Sequence, residues 1–191
     1  MVLDEPRIDL WRHTGGYSGD PFQGSRQVYR GANAVIVSGL DICDLDTVRS
    51  LDLSQYSGVI TIEEPDTDDP FRTDVVPQLV LQFHDIDMTM LGYVEPEPEH
   101  VQQALIFARE TDGPLLVHCR AGVSRSTAIA LAIAADRLGA GNERKACEWL
   151  METHPLANPN RLVAYLADEL LERGQALITA IAGVFKPIIS R

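Results

Sequence analysis

No apolar run in this chain approaches the ~20 residues that a bilayer crossing needs; the longest, AIALAIAA and ALITAIAGVF, fall well short. The N-terminus, MVLDEPRIDLW, is acidic and lacks an apolar signal core, which argues against secretion. Cysteine is scarce. Cys43, Cys119 and Cys147 are odd in number and have no paired metal-ligand spacing, which excludes a disulfide framework and points to a reduced, cytoplasmic protein. Positive charge is also short: 16 Lys and Arg stand against 28 Asp and Glu, a net charge of −12. That balance disfavours nucleic acid and anionic membrane surfaces as partners. Internal repeats and linkers are missing as well, so the 191 residues read as one domain with a substantial core.

What is present is ordinary globular composition, with 45% hydrophobic and 23% charged residues. Residues 1–27, including HTGGYSGDPFQGSR, are rich in Gly, Ser and Asp and read as an irregular segment ahead of a domain spanning 28–191. Short β-branched runs at ANAVIVSG, YSGVITIEE, QLVLQFHDI and GPLLVHC predict four strands. Helical spacing predicts a helix in DLDTVRSLDL, capped by Asp44 or Asp46. A second covers 99–111, with Val101, Leu105 and Ala108 on its inner face, and a third 126–138, ending at Gly139. A fourth helix covers 142–153, burying Ala146, Trp149 and Leu150; a fifth opens at Asn158 and Pro159, with Leu162, Tyr165, Leu166 and Leu170 on one face. The tail QALITAIAGVF extends that helix or folds back. Strands alternating with helices predict a three-layer α/β domain. The acid run EEPDTDDPF reads as a solvated loop, and Cys43 and Cys147 as packing residues.

One segment carries chemistry: VHCRAGVSRSTAIALA, where an apolar strand meets an Ala-rich helix across the loop Cys119–Arg125. Amides at a helix start have no intrahelical partner, and the helix dipole adds positive character there. A loop curled around that point forms an anion cradle. Gly122 permits backbone angles closed to other residues, and Arg125 grips two oxygens of a phosphate at once. A thiol at the base of such a cradle is expected to titrate below its free value of about 8.5. Cys119 therefore reads as a nucleophile aimed at phosphorus, with Ser126 placed to hydrogen-bond its sulfur or to cap the helix. His118 reads as a loop-fixing or purely structural neighbour, and Arg120 faces substrate or solvent.

The pattern H-C-x-x-G-x-x-R-S resembles the signature of the cysteine-dependent protein tyrosine phosphatases, and its surroundings resemble the dual-specificity branch, especially small bacterial members. The resemblance spans about 28–173, including ETHPLANPNRLVAYL. It implies a phosphatase-like catalytic domain with a central mixed sheet of about four to five strands flanked by helices. Cys119 would be the nucleophile and Arg125 a phosphate ligand, with the amides of Arg120, Ala121, Gly122, Val123, Ser124 and Arg125 as the cradle. It also implies an aspartic acid from an upstream loop that protonates the leaving oxygen. Two candidates stand in FHDIDMT. Asp87 lies 32 positions before Cys119, the spacing common in dual-specificity enzymes, whereas the HDI wording of the bacterial relatives favours Asp85.

The expected activity is hydrolysis of phosphotyrosine, extending to phosphoserine and phosphothreonine, through a phospho-cysteine intermediate. The substrate is a phosphorylated protein or a small phosphate ester, and neither metal nor cofactor is required. Three alternatives use the same loop: a phosphate-binding module without turnover, a phosphatase of non-protein esters, and a rhodanese-like sulfurtransferase.

Overall fold

The computed structural model describes residues 37–185. The irregular segment expected over 1–27 lies outside them, as does most of the first strand candidate, 32–39. Val37–Gly39 form a turn, and the first strand, β1, is Leu40–Cys43. Its polar Asp41 masks it in the sequence; in the fold that carboxylate accepts the Tyr56 hydroxyl at 2.9 Å.

The chain continues through α1 (Leu45–Ser50), a single 3-10 turn (Leu53–Gln55), β2 (Gly58–Glu63), β3 (Gln78–Gln82), α2 (Pro98–Glu110) and β4 (Leu115–His118). Four helices follow: α3 (Arg125–Leu138), α4 (Glu143–Thr153), α5 (Arg161–Leu170) and α6 (Ala176–Val184). The sheet order is β1-β4-β2-β3. All four described strands run parallel, where a mixed sheet was expected. Both faces are covered, which explains why β2 and β4 are buried along their whole length.

Alternate residues serve the two faces. Ile42, Ile60, Ile62, Leu115 and Val117 join the large core beneath the helices. Cys43, Val59 and Leu116 face a smaller cluster with Val48, Leu53 and Tyr56, flanked by Phe71 and Val76. α3 is the central helix of the large layer, and its first eleven residues, Arg125–Ala135, are all buried. Its alanines let α2, α4 and α5 approach closely. α2 and α4 bury the predicted residues, Trp149 among them.

α5 begins two residues later than expected. Asn158 and Asn160 spend their amides on the carbonyls of Val123 (2.9 Å) and Ser124 (3.3 Å), and the Asn160 carboxamide caps Val163 N–H at 3.0 Å. Its inner face is Val163, Ala164 and Ala167, while Tyr165 and Leu170 are exposed. Small residues win the inner positions because α3 packs so near. The tail folds back as α6: buried Asp168 accepts from Gln175 N–H (2.6 Å) and Leu177 N–H (2.8 Å), turning the chain onto α4 and α5.

β4 lies between β1 and β2, so the loop leaving its C-terminal end opens in the middle of the sheet edge, where strand ends converge on a helix start.

Candidate active site

Cys119 follows β4 directly, and the chain bends continuously through residues 120–124 into α3. The carbonyls along this bend are tied outward. Arg120 O accepts from Leu45 N–H (3.2 Å), and Val123 O from Asn158 N–H (2.9 Å) and the Thr127 hydroxyl. Ser124 O accepts from Asn160 N–H (3.3 Å) and Ala128 N–H (3.0 Å), and the His154 ring hydrogen-bonds the Gly122 backbone. No amide from Arg120 to Arg125 donates to another group among the described residues. With these carbonyls engaged on the scaffold, the loop amides are left available to an incoming acceptor.

Gly122 makes the curl possible. Its φ is +68°, and a Cβ there would stand 2.9 Å from Asp44 N and Cys43 C, both backbone atoms that cannot yield as a side chain would. Gly122→Ala is therefore expected to cost about 2 kcal/mol or more of stability in urea denaturation, with loss of whatever the loop binds. An alanine variant as stable as the parent would show that the loop has another conformation.

Arg125 is almost fully buried at the first turn of α3. Nη1 donates to Phe83 O (2.8 Å) and Nη2 to Glu64 Oε1 (2.9 Å), and Nε has no partner among the described residues. A buried unpaired donor costs about 1–3 kcal/mol, more when charged. Such a donor suits an incoming oxyanion. The sulfur of Cys119 lies 3.2 Å from the Ser126 hydroxyl, and both residues are buried. Ser126 is inside the helix; the cap position belongs to Ser124, whose hydroxyl is turned away to Asp85 Oδ1 at 2.7 Å.

His118 is a fully enclosed neutral ring. Burial pushes its pKa down to about 4, partly opposed by the adjoining Cys119 backbone and the nearby carboxylates of Glu63 and Asp44. Nε2 lies 2.8 Å from Thr61 Oγ1, which also accepts from Gln78 Nε2 at 2.7 Å, and Phe71 packs edge-on at 5.1 Å. His118 thus fastens the base of the loop to β2 and β3. Burial raises the other thiols, Cys43 strongly and Cys147 to about 12, in keeping with packing roles.

Cys119, Arg120, Arg125 and His118 line one cavity together with Glu64, Asp69 and Phe71. The acid run is a solvated loop over residues 65–70, as expected, but its first two residues and Asp69 are engaged in ion pairs. Glu63 is buried in a two-pronged pair with Arg72, Glu64 holds Arg125, and Asp69 pairs with Arg49. Neither Asp85 nor Asp87 lines that cavity. Both border an adjoining polar cleft of about 390 Å³ with Ser124, Asn160 and Arg161. Asp85 is nevertheless fixed to the loop, since its Oδ1 accepts from both Ser124 and Asn160 Nδ2 (2.9 Å). Sequence reasoning missed Glu64 and Asn160. The doubled glutamate at a strand end was a signal for the first, and the Pro-Asn wording before α5 for the second.

No protein-family model matches the chain, and no curated protein matches it. Solved structures do. The human tyrosine phosphatase-like serine/threonine/tyrosine-interacting protein is 22% identical, with 74% of this chain and 96% of that one covered at a TM-score of 0.56. DUSP15 is 23% identical, covering 80% and 94% at 0.56. A mouse putative dual specificity phosphatase is 19% identical, covering 84% and 96% at 0.57. The chain has the dual-specificity phosphatase fold.

Proposed function

We propose that the protein hydrolyses phosphate monoesters, with phosphotyrosine-bearing proteins as its substrate class and phosphoserine and phosphothreonine within its scope. One observation carries this reading: Cys119, Arg120 and Arg125 line a single cavity, while the amides of Arg120 to Arg125 and the Nε of buried Arg125 have no partner among the described residues. A tetrahedral dianion satisfies all of those donors at once and presents phosphorus to Cys119.

In the first step the sulfur attacks phosphorus, an S–P bond forms and the P–O bond to the alcohol or phenol breaks. Amides and Arg125 hold the three equatorial oxygens as charge redistributes. The leaving oxygen takes a proton from a carboxyl group. Asp85 is assigned that task over Asp87, because it alone is anchored to the loop: Oδ1 receives Ser124 and Asn160, and Oδ2 is left to carry the proton. In the second step water attacks phosphorus and returns a proton to Asp85. The S–P bond breaks, and the Ser126 hydroxyl donates to the departing sulfur.

The test is metal-free hydrolysis of an aryl phosphate, inhibited by orthovanadate; no turnover of any phosphate ester would remove the proposal. Asp85→Asn keeps the shape and the acceptor oxygen but has no proton to give. It is expected to lower kcat roughly 100-fold or more for poor leaving groups, and less for good ones. Asp87→Asn should stay within about threefold of the parent. The opposite ranking would reassign the acid.

A further inference from the structure

Half of the large hydrophobic side chains that stand exposed among the described residues fall in one seven-residue stretch: Met88, Met90, Leu91, Tyr93 and Val94. Leu91 is 103% exposed and Met88 64%. The stretch is the tip of a closed loop with a well-made base. His84 N–H donates to Val94 O (2.8 Å), Val94 N–H donates to His84 Nδ1 (3.0 Å), and the Tyr93 ring packs edge-on against the His84 ring at 4.9 Å. Because Nδ1 accepts, the ring proton sits on Nε2, 3.4 Å from Asp66 Oδ1 of the acid loop. Five exposed apolar side chains within seven residues, on a hydrogen-bonded base, are the kind of surface that interaction sites use.

Its position narrows the partner. Asp85, at the base, is held to Ser124 of the anion cradle at 2.7 Å. Leu91 lies six residues on, at most about 20 Å of chain, a span that an extended peptide covers in about six residues. Charge narrows it further. Residues 73–108 contain no Lys or Arg and six acidic residues, Asp74, Asp85, Asp87, Glu95, Glu97 and Glu99. Anionic lipid is repelled by such a surface, and so is a second copy of a chain carrying −12. A basic or neutral peptide is not.

We propose that the Met88–Val94 tip is a docking surface for the phosphoprotein substrate, receiving a bulky apolar side chain within about six residues of the phosphorylated one, in a segment carrying Lys or Arg. This rests on the phosphatase reading and adds to it a rule for substrate choice. The tip serves recognition and the cradle serves chemistry, so the two are separable.

The experiment compares the parent with a Met88→Ser/Met90→Ser/Leu91→Ser variant on p-nitrophenyl phosphate and on two basic phosphotyrosine peptides that differ only in a flanking Leu or Ser. The parent should prefer the Leu peptide roughly tenfold in kcat/KM, mostly through KM. The variant should lose that preference and keep p-nitrophenyl phosphate turnover within about twofold, which also reports that the loop base is intact. Binding of both peptides to the two proteins in a Cys119→Ser background, read by fluorescence anisotropy, measures the preference without turnover. Failure of p-nitrophenyl phosphate hydrolysis with the binding preference intact sinks the phosphatase reading alone. A parent without preference, or a variant that retains it, overturns the docking surface. So does co-sedimentation with phosphatidylcholine or phosphatidylserine vesicles, or a dimer on gel filtration, if the triple substitution abolishes it.

Discussion

Replacing Cys119 with serine is expected to lower aryl phosphate turnover ten-thousandfold or more, roughly the loss seen when a covalent nucleophile is removed, while phosphate binding persists. The separation follows from the geometry. On the proposed reading anion binding rests on loop amides and Arg125, whose partners Glu64 and Phe83 O do not involve the sulfur. Bond breaking needs an attacking atom beneath phosphorus, and a serine hydroxyl is a far weaker nucleophile there than the sulfur. Steady-state rates and orthovanadate or phosphopeptide binding measure the two properties independently. Serine-variant rates within tenfold of the parent would exclude a phospho-cysteine route and leave the loop as a binding device. The substitution is nearly isosteric, so thermal unfolding should change little.

Arg125→Lys is expected to lower kcat/KM by roughly a hundredfold to a thousandfold and to weaken orthovanadate inhibition at least tenfold. A lysine keeps the charge and loses the fork. In the structure one guanidinium spans the Phe83 carbonyl and the Glu64 carboxylate and keeps Nε without a partner among the described residues. An ammonium group at the end of a flexible stem cannot hold that spread of partners in one plane. Glu64→Gln should cost less, since the amide oxygen still accepts from Nη2 and only the charge is lost. Equal losses from Arg125→Lys and Glu64→Gln would show that net charge, and not the planar fork, is what the site requires. Steady-state kinetics on a single aryl phosphate with an orthovanadate titration suffices for both variants.

What the amino-acid sequence determined by itself is the strand–loop–helix frame that brings Cys119, Gly122, Arg125 and Ser126 together, and the ladder of elements around it. These four lie within eight consecutive residues, so their spacing alone places them at one loop, and short-range periodicity marks β2, β4 and α2 to α4 as they stand. The tertiary structure decided the rest. Which carboxylate meets Arg125 depends on β2 ending beside the loop, 61 residues away in the chain. Which aspartate is anchored depends on Asn160, 75 residues from Asp85, whose backbone duties also moved the start of α5. The inner face of α5 belongs to the same class, because the approach of α3 outweighed local pattern there. Hydrophobic periodicity and turn chemistry operate over a few residues. The pairing of a buried charge is set by which strand ends share an edge, and that follows only from the order β1-β4-β2-β3.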